Sequence, residues 1–274
     1  MSSLARINSY LAVAKISFRN IRQYTVDFLT NFAYFPAQIY ALYFIYSIVY
    51  TQAWIIDGVT TIGGFTFTQL INYLFIVIVM QRSLPRWRLG TEIEKDIDRG
   101  PLVSYLARPI DYAGFKFFGE FPRSLLFLLF GLITYVITLI FIPLPAPTIG
   151  NLLLFIPFFL VAYMIAFLLV FATSIAAFKM SQIWWVRDLL SLAMTLAGGG
   201  LIPLTYFPPV IQSILLLLPF QYCYFTPTII LQGYYAVTDL LPITLISVAW
   251  LIILYVLVRL LWNLGRRGYS GAGG

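Results

Sequence analysis

Charged residues are absent from two long stretches of this chain. No Asp, Glu, Lys or Arg occurs in residues 124–178, and none occurs in residues 189–238. A soluble domain cannot bury so much uninterrupted apolar chain, whereas the interior of a bilayer accepts apolar side chains and excludes charge. Helices satisfy their own backbone hydrogen bonds in lipid. The sequence therefore predicts an all-α membrane protein that crosses the bilayer several times.

Composition supports this prediction and suggests the number of spans. Of the 274 residues, 61% are hydrophobic and 10% are charged, and the mean hydropathy is +0.90. At about 20 apolar residues per span, this length accommodates about six spans and no large soluble domain. We predict six transmembrane helices at residues 28–50, 64–83, 123–144, 152–178, 188–206 and 242–263. They form one transmembrane domain over residues 25–268, between a cytoplasmic segment 1–24 and a flexible tail 269–274.

The missing residue types argue against several kinds of chemistry. The chain has no histidine, which removes the commonest general base and metal ligand. Its single cysteine, Cys223, excludes an internal disulfide. No G-x-x-x-x-G-K-[ST] motif for binding ATP occurs. We therefore predict no metal site, no cofactor bound by this chain and no enzymatic activity of its own.

The amino-terminal segment has the pattern of an amphipathic helix. Over residues 4–22, apolar side chains follow a spacing of three and four, with Val13 and Ile16 off the stripe. The stripe consists of Leu4, Ile7, Leu11, Ala14, Phe18 and Ile21. The basic residues are Arg6, Lys15, Arg19 and Arg22. This combination predicts a helix lying on the surface of an anionic leaflet.

Residues 207–236 are apolar but interrupted by prolines at positions 208, 209, 219 and 227. The uninterrupted piece, residues 210–218, is too short to cross a bilayer. Irregular backbone at membrane depth is tolerated only where protein or water covers it. We therefore predict an extracellular re-entrant helical hairpin between the fifth and sixth spans.

The basic residues indicate how the chain is oriented. With six spans, all seventeen lie on the side of the two termini, near the loops 84–122 and 179–187. The other side holds only Asp57 and Asp239. Basic residues concentrate on the cytoplasmic side of membrane proteins, so we predict that both termini are cytoplasmic. The same rule explains the pI near 9.5 without nucleic-acid binding.

The loop 84–122 is the most hydrophilic part of the chain. Thr91 and Glu94 have the spacing of a capping box, and Gly100 followed by Pro101 is a helix stop signal. These signals predict a two-turn helix with acidic residues at its amino end, Arg99 at its carboxyl end, and residues 93 and 97 (both isoleucine) on one face. Two interpretations remain open. The helix is either solvated, or a docking element whose isoleucines insert into a soluble partner.

The segment 92–109, EIEKDIDRGPLVSYLARP, resembles the acidic helix, Gly, Leu-x-x-x-Leu and Arg-Pro segment of ABC-2 type exporter permeases. Residues 198–220 begin with three glycines and continue through Pro203, Pro208, Pro209 and Pro219. They are similar to the Gly–Pro–Pro–Pro stretch between spans five and six of that family. The resemblance is closest to the branch whose permeases often occur as pairs of small six-span subunits.

This resemblance implies a permease subunit of an ATP-driven exporter in a prokaryotic cell membrane. It implies two kinds of protein partner: a second permease, identical or homologous, and two ATPase subunits that bind ATP and Mg. Membrane lipids are expected as further partners, and nucleic acid is not expected to bind. The segment 92–109 would contact the ATPase, with a smaller contact at residues 179–187, and the hairpin would cap the outer mouth of the pathway. The candidate coupling residues are Glu92, Ile93, Glu94, Asp96, Ile97, Asp98, Arg99, Tyr105, Arg108, Lys179, Gln182 and Arg187.

Two groups of residues are candidates for lining a substrate pathway. Tyr40, Tyr43, Tyr46 and Tyr50 follow one face of the first span, and the run of glycines 198–200 lies inside the predicted fifth span. Helix packing and anchoring at the membrane interface are the alternative explanation for the tyrosines. Close helix packing is the alternative for Gly198, Gly199 and Gly200.

Three other functions compete with the exporter permease. An ion-coupled carrier needs ionisable groups at membrane depth, and the predicted third and fourth spans contain none beyond Arg123 at their boundary. An intramembrane enzyme needs carboxylates or metal ligands that converge on one cavity, whereas residues 92–98 place theirs around a helix. A lipid scramblase or assembly subunit that does not use ATP shares most features of the sequence.

Overall fold

The computed structural model describes residues 3–20, 25–107, 110–180, 182–235 and 237–267. Almost all of these residues are helical. The helices are α1 (Ser3–Asn20), α2 (Thr25–Asp57), α3 (Phe67–Ser83), α4 (Trp87–Asp98), α5 (Pro101–Leu106), α6 (Tyr112–Phe141), α7 (Ile149–Ser174), α8 (Trp184–Ala197), α9 (Pro209–Leu217), α10 (Phe225–Gln232) and α11 (Val237–Arg266). Short 3-10 helices occupy Ile175–Phe178, Leu204–Tyr206 and Pro219–Tyr222. A small antiparallel hairpin pairs β1 (Thr61–Ile62) with β2 (Phe65–Thr66).

Among the described residues, five helical segments are long and apolar enough to cross a membrane. They are Tyr34–Asp57, Phe67–Asp98, Tyr112–Phe141, Ile149–Phe178 and Val237–Arg266. The expectation of an all-helical, multi-pass membrane protein is therefore confirmed. The predicted fifth span, residues 188–206, is not among the five. Its helix, α8, has 14 residues and rises about 21 Å, less than the roughly 30 Å of a hydrocarbon core.

The three glycines after α8 explain why this helix is short. Gly198 caps it, and Gly199 has a φ of +74°, a left-handed conformation that side chains disfavour. The carbonyl of Gly199 accepts a hydrogen bond from the Tyr73 hydroxyl at 2.6 Å, and the carbonyl of Gly200 accepts one from Gln81 Nε2 at 2.6 Å. The chain therefore leaves the helix where its backbone contacts α3, and apolar content alone did not reveal this break.

The segment 207–236 folds into two unlike helices. The described residues of α9 are not buried, whereas residues 225–231 of α10 are all buried. Before α9, the Thr205 hydroxyl donates to the Gly63 carbonyl beside the β-hairpin, at 2.9 Å. At the start of α10, the Phe225 N–H donates to the Gly198 carbonyl at 2.9 Å. The chain thus passes beside the β-hairpin before α9, turns inside the bundle next to the glycine run, and continues into the buried α10.

Most of the charged side chains of the described residues gather at one end of the bundle. This charged end comprises α4, α5, the first turns of α6 and α8, and the last turns of α11. A buried aromatic group holds these elements together: the rings of Tyr112 and Trp262 stack with centroids 5.4 Å apart, and Phe171 lies 5.4 Å from Trp262. Exposed tryptophans, Trp87 and Trp184, also lie at this end, as is typical of side chains at a membrane interface.

The amino-terminal helix α1 packs against the first half of α6. The ring of Tyr10 stacks on Phe118 with centroids 5.1 Å apart, and Val13 approaches Gly119. Two described members of the predicted apolar stripe, Leu11 and Phe18, lie outside this contact and are 59% and 57% exposed. α1 therefore attaches to α6 through the face that carries Tyr10 and Val13, while Leu11 and Phe18 remain exposed.

Candidate functional site

The helix α4 begins earlier than its predicted capping box. Arg86 precedes the first turn, and Thr91 lies inside the helix, where its hydroxyl donates to the Trp87 carbonyl at 2.9 Å. The prediction of a Thr91–Glu94 capping box is therefore wrong, and the first turn of α4 has no acidic residue. A threonine hydroxyl can bond to the carbonyl four residues earlier, so this residue type alone does not mark a helix start. The extra turn also allows Leu89 to be buried.

The predicted end of this helix is confirmed. Arg99 is the residue after α4, and Gly100 has a φ of +89°. Pro101 then starts α5, where its missing N–H is not needed. The left-handed glycine turns the chain between α4 and α5.

The two isoleucines of α4 face the interior of the protein. Ile93 is fully buried and Ile97 is 2% exposed. They belong to an apolar cluster with Phe171, Ile183 and Trp262. The docking hypothesis requires these isoleucines to point outward. In the structure they point inward, because the chain's own helices offer them apolar contacts.

Glu94 connects α4 to α8. Its carboxylate pairs with the guanidinium of Arg187 and accepts a hydrogen bond from the Ile183 N–H at 3.1 Å. The side chains are only 14% and 7% exposed, so water screens this pair little. Arg187 also lies over the ring of Trp87, 5.3 Å from its centroid. A Cβ at position 90 would lie 2.8 Å from Arg187 Cδ, so Gly90 makes room for the arginine.

Asp96 connects α4 to α6. One carboxylate oxygen lies 2.7 Å from Lys116 Nζ and also accepts a hydrogen bond from the Tyr112 hydroxyl at 2.7 Å. The Asp96 and Lys116 side chains are 15% and 10% exposed. Glu92 lies 3.8 Å from the same ammonium group. These contacts hold the middle of α4 against the first turn of α6.

Arg88 forms a second connection between α4 and α6. Its guanidinium pairs with Glu120, whose side chain is 5% exposed, and with Glu92 on the same helix. Glu120 also pairs with Arg123 at 3.1 Å. The four-residue spacing of Lys116 and Glu120 places opposite charges on one side of α6, and this charge pattern is visible in the sequence.

The opposite side of α4 and α5 is open. We call Lys95, Arg99, Val103 and Leu106 the outer face; all four are exposed, Val103 by 52% and Leu106 by 44%. Asp98 is half-buried, and the half-buried Tyr105 ring lies 5.6 Å from the Tyr112 ring. The candidates Lys179 and Gln182 are also exposed, in the segment that leads to Ile183. Arg108 lies outside the described residues.

Arg86 is a half-buried connection that sequence reasoning missed. Its guanidinium donates to the hydroxyls of Ser191 at 2.7 Å and Thr195 at 3.1 Å. It also lies 5.9 Å from the ring centroid of Tyr224, just before α10. The residue that starts α4 thus contacts α8 and the buried turn between α9 and α10.

Three of the four predicted pathway tyrosines face the protein. Tyr50 is 8% exposed, and its hydroxyl donates to the Phe65 carbonyl at 2.8 Å. Tyr43 packs against Phe67 with ring centroids 5.0 Å apart, and Tyr46 is half-buried in the same region. Tyr40 is 46% exposed. Packing explains Tyr43 and Tyr50, and Tyr40 is the member of the group that remains most accessible.

A family model described as "ABC-2 family transporter protein" matches residues 37–273. The chain belongs to this family. The resemblance drawn from residues 92–109 and 198–220 is thereby confirmed. Membership makes the chain a transporter membrane protein in an ABC transporter context with ATPase partners, and membrane domains of this family are generally non-catalytic. No curated protein and no solved structure matches this chain.

Proposed function

We propose that this ABC-2 family protein is the permease subunit of an exporter and is coupled through α4 and α5 to separate ATPase subunits. The observation that supports this best is the two-sided character of α4. Its inner side is fastened to α6 through Asp96 and to α8 through Glu94, while its outer face is exposed. A force applied to α4 from outside reaches two helices of the bundle through packed side chains and ion pairs.

This proposal gives the candidate residues different tasks. Ile93 and Ile97 anchor α4 in the permease, and they do not touch the ATPase. On the outer face, Val103 and Leu106 provide a small apolar centre, and Lys95 and Arg99 provide a charged rim, the usual arrangement of a protein interface. Lys179 and Gln182 form the smaller second contact. Arg108 is assigned to the coupling segment by family likeness.

The rest of the proposal concerns the membrane and the second permease. The positive-inside rule favours a cytoplasmic location for the charged end and for both termini in a prokaryotic cell membrane. The segment from α9 to α10 is a re-entrant hairpin at the outer mouth, supported by its contacts with both the β-hairpin and the buried glycine run. Two permeases, identical or homologous, enclose the pathway, and the exposed Tyr40 is a lining candidate.

The coupling proposal is tested by purifying the permease with its ATPase and measuring ATP turnover in lipid. Reversing the charges in Lys95→Glu/Arg99→Glu is expected to weaken assembly or to lower turnover at least about tenfold, because both residues lie at the proposed rim. The control is Arg266→Glu/Arg267→Glu, which makes the same charge change at exposed positions of the carboxyl terminus. Intact assembly and turnover in the first variant would refute the coupling assignment. Transport in vesicles that lack the ATPase would instead indicate an ion-coupled carrier or a scramblase.

A further inference from the structure

Two apolar grooves of similar volume lie between helices of the described part of the bundle. One, of about 400 Å³, lies between α3, α6 and α7, and its lining residues are all uncharged. The other, of about 440 Å³, lies between α6, α7 and α11 and has Asp111 and Arg259 among its lining residues. Both volumes fall in the range of about 300–1,000 Å³ that is usual for ligand sites. The second groove alone combines an apolar interior with charges that can select a headgroup.

The depth of this second groove matches one leaflet of a bilayer. Its apolar wall includes Phe117, Phe167 and Leu251. Leu251 and Arg259 are eight residues apart on α11, which corresponds to about 12 Å of helix rise. Half of a bilayer's hydrocarbon core is about 15 Å thick. An acyl chain that enters beside Arg259 therefore fits with its length along α11.

The two charges at the mouth are close but not tightly paired. Asp111 Oδ1 lies 3.6 Å from Arg259 Nη1, longer than a direct hydrogen bond, and the side chains are 49% and 55% exposed. The other oxygen of Asp111 accepts a hydrogen bond from the Gly114 N–H at 3.0 Å and so caps α6. One carboxylate oxygen and the donors of the guanidinium group thus remain available to a ligand.

We propose that this groove binds a single membrane phospholipid whose headgroup contains both a phosphate and a primary ammonium group, as in phosphatidylethanolamine. Arg259 holds the phosphate with its fork of donors, and Asp111 accepts hydrogen bonds from the ammonium. A choline headgroup has no N–H to donate. An anionic headgroup that lacks an amine leaves the Asp111 carboxylate uncompensated beside its phosphate. This site does not depend on the proposed coupling to an ATPase.

The test uses the full chain, purified in detergent and stripped of lipid. Dioleoyl phosphatidylethanolamine, phosphatidylcholine and phosphatidylglycerol are each titrated, and bound lipid is counted by native mass spectrometry. The ethanolamine lipid is expected to bind about fivefold more tightly than the other two, a modest factor because the charges are half exposed. Equal affinity for all three lipids would overturn the proposal.

Three variants and one matched control separate the parts of the site. Asp111→Asn keeps a residue that caps helices equally well, so it is expected to fold and to lose the preference for ethanolamine over choline. Arg259→Gln is expected to weaken all three lipids, whereas Arg266→Gln, with the same charge change on the same helix, leaves binding unchanged. Leu251→Trp narrows the deep end and weakens every lipid. A preference that survives Asp111→Asn, or equal effects of Arg259→Gln and Arg266→Gln, would contradict the proposed roles.

Discussion

Removing one partner of the Glu94–Arg187 pair between α4 and α8 should strongly destabilise the protein. Both side chains are largely buried, and Arg187 has no acidic partner besides Glu94 among the described ion pairs. Removing one partner of a buried pair leaves the other charge uncompensated and typically costs about 3–5 kcal/mol. Arg187→Met therefore should destabilise the protein by about this amount. For a chain of this size, that corresponds to a fall in Tm of roughly 6–10 °C.

The matching variant is Glu94→Gln, which keeps an oxygen acceptor for the Ile183 N–H while removing the charge. In the double variant no buried charge is left without a partner. We therefore expect the double variant to be more stable than the sum of the two single effects indicates, by about 2 kcal/mol. Thermal unfolding in one detergent, at one scan rate, measures all four proteins.

The exposed Asp111–Arg259 pair provides the control for this cycle. At 3.6 Å and about half exposed, it should contribute no more than about 1 kcal/mol. If Glu94→Gln and Arg187→Met instead add within about 0.5 kcal/mol, the two side chains do not stabilise each other. The physical link that the proposed function assigns to α4 and α8 would then be refuted.

Three further variants test other parts of the structure. Ile93→Ala should destabilise the protein by about 2–5 kcal/mol because the side chain is fully buried, which thermal unfolding measures. Val103→Ala should change Tm by less than about 2 °C because this side chain is exposed, and yet lower the ATP turnover of the assembled complex because it lies at the proposed ATPase contact; unchanged turnover would exclude Val103 from that contact. Gly199→Ala should cost about 1–3 kcal/mol, since φ is +74° and a Cβ would lie 2.7 Å from the Tyr73 hydroxyl; an undiminished Tm would contradict this conformation.

The structure revises which side chains of the proposed coupling segment, residues 92–109, face inward and which face outward. Residues 93 and 97 share a helix face, as their spacing predicted, but that face points into the bundle. The acidic residues between them are also engaged, Glu94 with α8 and Asp96 with α6. Among the described residues of this segment, the outer face therefore leaves basic and apolar side chains exposed.

The membrane class and the carboxyl end of α4 follow from local chemistry, and so they could be predicted. A long stretch without charge can enter lipid whatever elements pack beside it. Residues 124–178 therefore indicated a membrane protein from the sequence alone. Gly100 and Pro101 stop a helix through their own backbone properties, and the structure confirms this end. The family resemblance also arose from sequence order and spacing, and the match over residues 37–273 confirms it.

Long-range contacts decided the features that were not predicted. α8 ends at Ala197 because the following glycine backbone bonds to Tyr73 and Gln81, which lie more than one hundred positions away in the sequence. The direction of the Ile93 side chain depends on where α7 and α11 lie, since an apolar face turns to whichever apolar surface is nearest. The uncharged stretches thus established that the chain lies in a membrane, and the packing of its helices determined which charges remain accessible.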